Sequence, residues 1–139
     1  MRNALLAVLI LLAPVAARAA DPKETLVTPA PIVFFDIAGP DQDKQHAFYA
    51  GVFGWTIDPS GAIKNAGLDG TLRKDPADKI LYLGVPDVTA ALAQVTAAGG
   101  TVIVPRFEAK GVAVIGLFKD PAGNGMGLVE MKDGKPVIP

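Results

Sequence analysis

The sequence predicts an α+β domain built from two copies of one strand–helix–strand unit. Short runs of β-branched and aromatic residues alternate with stretches of helical periodicity. A repeat joins them: residues 39–57 (GPDQDKQHAFYAGVFGWTI) lie on residues 85–103 (VPDVTAALAQVTAAGGTVI) without gaps at a constant offset of 46. Pro40 then meets Pro86, Asp41 meets Asp87, Ala47 meets Ala93, Gly54 meets Gly100 and Ile57 meets Ile103. A strand-to-helix turn, a helix length and a helix stop therefore coincide. Neither unit can bury its sheet face alone, so the two are expected to pack against one another.

The elements follow in order. An apolar run of 14 residues from Ala4 to Ala17 follows Met1-Arg2-Asn3 and ends in the small-residue triplet Ala17-Arg18-Ala19. A membrane span needs roughly 18 or more apolar residues, so residues 1–19 are expected to be an export signal cut after Ala19, with a retained anchor as the competing reading. Residues 20–31 carry Pro22, Pro29 and Pro31 and read as a flexible tether. Ile32 to Ile37, bounded by Gly39-Pro40, reads as a buried strand. A helix then opens on Asp41 as cap, with Asp43 in its first turn, and runs to Val52 before Gly54 stops it. Trp55 to Asp58 resumes extended structure, and residues 59–79 are too divergent to align with the other unit. Ile80 to Val85 reads as the next strand. Pro86-Asp87 opens the second helix, whose stripe is Val88, Leu92 and Val95 and whose stop is Gly99-Gly100. Thr101–Val104, Val112–Phe118 and Met126–Met131 are expected strands, with Asp120 to Asn124 as the turn before the last. The domain is thus placed at 32–132, its modules at about 32–74 and 80–131, and 133–139 is a tail.

Composition narrows the chemistry. With half the residues apolar and 19% charged, the 139-residue chain can build one real core. Thirteen basic against fourteen acidic residues leave no basic stripe for phosphates, which argues against a nucleic-acid partner. No cysteine is present, so disulfides, thiolate metal sites and thiol nucleophiles are excluded together. The absence also suits an oxidising compartment, and a periplasmic or secreted location is expected. His46 is the only histidine, so a two-histidine metal site within one chain is excluded.

Two segments carry a family resemblance. HAFYAGVFGW at 46–55 and FKDPAGN at 118–124 resemble the vicinal oxygen chelate superfamily, which includes glyoxalase-like domains, bleomycin-resistance proteins and dioxygenases. The resemblance runs from Pro31 to about Lys132. It implies two β-α-β-β-β modules forming a curved mixed sheet of half-barrels, with the helices on the outer face and a small-molecule cleft inside. Lyases, isomerases and binding proteins share that plan, so fold alone does not select among them.

The resemblance also implies where a metal would be held. Its first-strand ligand falls at Phe34, or Val33 if the next loop differs by one residue; the second-module counterpart falls at Ile80, and the last-strand glutamate at Gly127. None of these side chains binds a metal. The fourth position lies in the unaligned stretch, where Asp69 is a candidate without support. Asp36 and Glu130 are the remaining acidic residues in strands and complete a weak set of metal candidates with Asp69. Glu130 sits three residues beyond Gly127, on the opposite sheet face, and reads as a strand-end residue paired with a neighbouring lysine or solvent. Asp36 interrupts an apolar strand, and a buried carboxylate must be compensated, by a turn or a lysine for instance.

Other residues divide between core and cleft. Tyr82 shares a face with Ile80, which the resemblance places in the cleft, where a phenol can orient a polar ligand. His46 is expected on a helix flank, and Phe48, Phe53 and Trp55 are expected to form a core cluster. Arg106 reads as a solvated strand-end residue. The cleft candidates are therefore Phe34, Asp36, Ile80, Tyr82, Gly127 and Val129. The expected function is that of an exported, metal-free binding domain for a small, largely apolar molecule, without a cofactor and with a homodimer as the expected assembly. The alternative is a metal-dependent lyase or dioxygenase using Asp36, Asp69 or Glu130.

Overall fold

The computed structural model describes residues 28–139. The expected export signal and most of the expected tether, residues 1–27, lie outside the described residues. The chain order is β1 (Ile32–Gly39), α1 (Gln42–Phe53), β2 (Ala62–Ile63), β3 (Asp69–Lys74), β4 (Asp78–Val85), α2 (Val88–Ala97), β5 (Thr101–Ala109), β6 (Ala113–Lys119), β7 (Gly125–Lys132) and β8 (Lys135–Pro136).

The two Pro-Asp pairs open the two helices by the same device. The Asp41 carboxylate accepts a hydrogen bond from the Lys44 amide at 3.1 Å, and Asp87 accepts one from the Ala90 amide at 2.8 Å. Each satisfies a first-turn N–H that the helix leaves free. Gly54 ends α1 in the left-handed region at φ 68°, while α2 uses Gly99 at φ 92°, one residue before the counterpart of Gly54.

The strands form one mixed sheet in the order β2-β3-β1-β4-β7-β6-β5, with β8 folded back onto the end of β7. β1 runs parallel to β3, and β4 parallel to β7, as the repeat requires. The modules join through the antiparallel β1–β4 ladder, in which Phe35 faces Leu81, its own repeat counterpart 46 residues on. A pseudo-two-fold axis therefore passes between these two residues. Both helices cover the same side: α1 packs near Phe35, Ile37, Ile63 and Leu72, and α2 buries Val88 and Leu92 against Leu83, Phe118, Met126 and Leu128. Strand alternation leaves Phe34, Asp36, Thr71, Arg73, Ile80, Tyr82, Ile115, Leu117, Gly127 and Val129 on the other, concave face.

Several elements differ from the sequence reading. The unaligned stretch supplies β2 and β3, whereas Trp55 to Asp58 contributes only an isolated bridge between Ile57 and Ile63. β5 does not stop at Val104 but continues through Pro105 to Ala109. It is an edge strand, and Pro105 falls in the register shift between Val104 and Phe107, where the ladder to β6 is interrupted. The tail is pinned by the Val137 amide donating to the Glu130 carbonyl at 2.9 Å. Phe48 and Phe53 are not core residues: they are 55% and 60% exposed, and α1 buries no residue at all. Of the expected cluster only Trp55 packs inward, stacked on Tyr49 with ring centroids 4.9 Å apart.

Candidate functional site

The site grows from Asp36, the one buried charged residue among those described. It sits mid-strand in β1, directly opposite Thr71 of β3 on one side and Ile80 of β4 on the other. Two residues further along β3, on the same face, Arg73 brings its Nε to 2.8 Å from Asp36 Oδ2. The Asp36 side chain is 6% exposed and that of Arg73 32%, so the pair is a buried carboxylate roofed by a partly wet guanidinium. Burial works against the guanidinium charge, but the Asp36 carboxylate holds its pKa above the ordinary arginine value. Arg73 Nη1 also pairs with Asp75. One cation is thereby shared by two carboxylates.

Tyr82 closes the other side. Its hydroxyl lies 3.5 Å from Asp36 Oδ2, at the outer limit of a hydrogen bond. Burial, and then the neighbouring Asp36 carboxylate, push the phenol up to about 12, so it stays a neutral donor. The ring meets Phe34 edge to face, centroids 5.6 Å apart. It lies over Gly127: a Cβ there would fall 2.2 Å from Tyr82 Cδ1, so only glycine leaves room. Asp36 Oδ1 is buried and accepts no hydrogen bond from the protein. A group left in that condition costs about 1–3 kcal/mol.

Around this polar centre the face is apolar and open. Val129 is buried, while Phe34, Ile80, Ile115 and Leu117 are half-buried and leave a trough rather than an enclosed cavity. Two recesses of about 340 and 370 Å³ lie elsewhere, one between α2 and β5 and one beside Tyr49 and Lys79. Neither contains a buried charge, and the physical signal for a site stays with Asp36.

The three acidic metal candidates do not converge. Asp69 pairs with Lys64 at 2.8 Å and is exposed. Glu130 faces the helix side of β7, where Arg106 grips it with Nε at 2.9 Å and Nη2 at 3.0 Å, and its Oε2 also accepts the Val88 amide at 3.2 Å. Its partner is thus an arginine and a helix N-terminus rather than a lysine, and Arg106 is correspondingly not a free surface residue. Arg106 in turn holds the Glu130 carboxyl below its ordinary value. Among the described residues no three His, Cys, Asp or Glu side chains cluster. The ladders also settle the fourth position: Asp36 pairs with Thr71 as Tyr82 pairs with Gly127, so Thr71, not Asp69, is the counterpart of Gly127. Phe34, Ile80, Thr71 and Gly127 together do not fit a divalent cation. His46 lies half-buried on α1, and α1 packs on the other side of the sheet.

Arg73 and Thr71 are the residues that sequence reasoning missed. Their signal was present in the period-two pattern of Asp69, Thr71 and Arg73, which places a cation on one strand face, and in the need of Asp36 for a partner.

A glyoxalase-like domain family profile matches residues 32–129. The anthracycline biosynthesis proteins DnrV of Streptomyces peucetius and DauV of Streptomyces sp. strain C5 are each 28% identical over 71% of this chain and 46% of their own length. The chain therefore spans about half the length of the curated relatives it matches. A methylmalonyl-CoA epimerase structure superposes with TM-score 0.55 at 17% identity, covering 79% of this chain and 100% of that one. A glyoxalase/bleomycin resistance protein/dioxygenase superfamily member from Vibrio splendidus gives 0.53 at 14%, covering 73% and 97%. At these identities the structures show a shared fold.

Proposed function

The chain belongs to the glyoxalase-like domain family of the vicinal oxygen chelate superfamily, and within it we propose a metal-free member that binds a small, largely apolar molecule on the concave face of its sheet. The observation that carries this reading is the composition of that face. Phe34, Ile80 and Gly127 stand where the resemblance implies metal ligands, Thr71 is the register counterpart of Gly127, and the charge buried there is paired as Asp36–Arg73. An apolar trough with a few placed polar groups is the ordinary make-up of a small-molecule site. The part that the curated relatives play in anthracycline biosynthesis supports an organic molecule as the ligand. Residues 1–19 support export, and a second copy laid across the open trough is the assembly we propose.

Loading the purified protein separately with Zn, Ni, Mn and Fe(II), desalting, and weighing it by native mass spectrometry tests the first half. The expected spectrum is that of the bare chain, as monomer or dimer. Stoichiometric metal that survives desalting overturns the proposal in favour of a chelate enzyme. Titration with an anthracycline and with simple bicyclic aromatics, followed by amide NMR shifts, tests the second half: shifts at Phe34, Thr71, Tyr82 and Val129 are expected, and shifts confined to the helix side would move the site.

A further inference from the structure

We infer that the Asp36–Arg73 pair is a receptor for a protonated amine, so that the trough takes an apolar molecule by its ammonium group. This rests on the concave-face reading and refines it.

Charge comes first. Asp36 and Asp75 both lean on the single guanidinium of Arg73, which leaves the group one negative charge in excess. Tyr82 adds none, because its phenol remains protonated, and Asp78 at the start of β4 adds to the negative field it feels. The lysines adjacent on these strands, Lys74 and Lys79, alternate to the helix side with Leu72 and Ile37, and Lys64 is paired with Asp69. An ammonium brings the group to neutrality, a carboxylate or phosphate raises the excess, and a neutral hydroxyl leaves it unchanged.

Hydrogen bonding points the same way. An ionised carboxylate has about four acceptor directions, yet here Oδ2 takes the bond from Arg73 and the long approach of Tyr82, while Oδ1, buried, takes none from the protein. An ammonium carries three donors and no acceptor, which is the complement of that oxygen. Access runs along Arg73, a third exposed, and half-buried Thr71. The terminal torsion of an aspartate is broad and nearly two-fold, so a modest rotation presents an oxygen to the trough while Arg73 keeps the other. The ligand's apolar body then lies over Phe34 and Ile80, and the Phe34 ring adds a π-face beside the cation.

Three probes with one ring system separate the chemistry: tryptamine, its N-acetyl derivative and indole-3-propionate, each titrated into isotopically labelled protein and followed by amide NMR. Tryptamine is expected to shift Asp36, Thr71, Arg73 and Tyr82 and to bind at least about tenfold more tightly than either partner, a ratio that Asp36→Asn removes. If Asp36→Asn unfolds the chain, the three-probe ranking on the parent protein still decides. Equal or stronger binding of the neutral or acidic probe in the trough overturns the amine assignment and leaves the binding-domain reading standing. If none of the three moves a concave-face amide at millimolar concentration, the amine assignment falls. Should the anthracycline titration above also leave that face unmoved, the concave-face reading falls with it.

Discussion

At Glu130 a single carboxylate ties three elements together: it lies on β7, is gripped by Arg106 of β5 and receives the first amide of α2. Arg106 first, and then the Val88 amide, hold its pKa below the ordinary value of 4.5. The folded form therefore binds this proton less readily than the unfolded chain. Its contribution to stability is complete above the unfolded value and is lost as pH falls through the depressed one. Glu130→Gln is expected to lower the melting temperature at neutral pH, with the difference from the parent closing under acid conditions; a constant difference across the pH range would place the effect in packing instead. Residues of this kind were only half legible. Asp36 announces itself as a charge in an apolar strand, but its partner lies 37 residues away across a parallel ladder, and a parallel ladder leaves no local spacing to read. The register of Thr71 and Gly127 becomes visible only when both modules are folded.

The two helices show what a repeat encodes and what it leaves out. Their start, cap and length were legible because each depends on a few adjacent residues. Their burial was not, because it depends on the strands beneath. α2 lies over the long strands β5, β6 and β7 and buries Val88 and Leu92. Under α1 the counterparts of β5 and β6 have shrunk to the Ile57 bridge and the two residues of β2, and only β3, the counterpart of β7, keeps six residues. At the offset of 46 the counterparts of Val88 and Leu92 are Gln42 and His46, while Phe48 and Phe53 occupy the positions of the exposed Gln94 and Gly99 and likewise face solvent. Replacing either by serine is expected to change stability by no more than about 0.5 kcal/mol, whereas Leu92→Ala is expected to cost about 2–5 kcal/mol, both measured by urea denaturation. A large loss at Phe53 would mean that another surface covers it in solution.

On the scale of the whole molecule, each module has its own apolar cluster, one around Ile57, Ile63 and Leu72 and one around Val88, Leu92, Phe118 and Leu128. The eight-stranded sheet crosses from one to the other through the Phe35–Leu81 pair. Splitting the modules would strip the central ladder, so a single cooperative transition is expected. Trp55, the sole tryptophan, reports on the first module, and far-UV circular dichroism reports on both. Coincident melting curves support one unit; an earlier fluorescence transition would show that the first module opens alone. The ends of the sheet have one more effect. β5 is broken by Pro105 and two register shifts, and β2 is two residues long. Neither rim exposes an uninterrupted row of backbone donors and acceptors on which a foreign strand could grow. For a chain that is half apolar, rims of this kind disfavour strand-on-strand growth from one copy to the next.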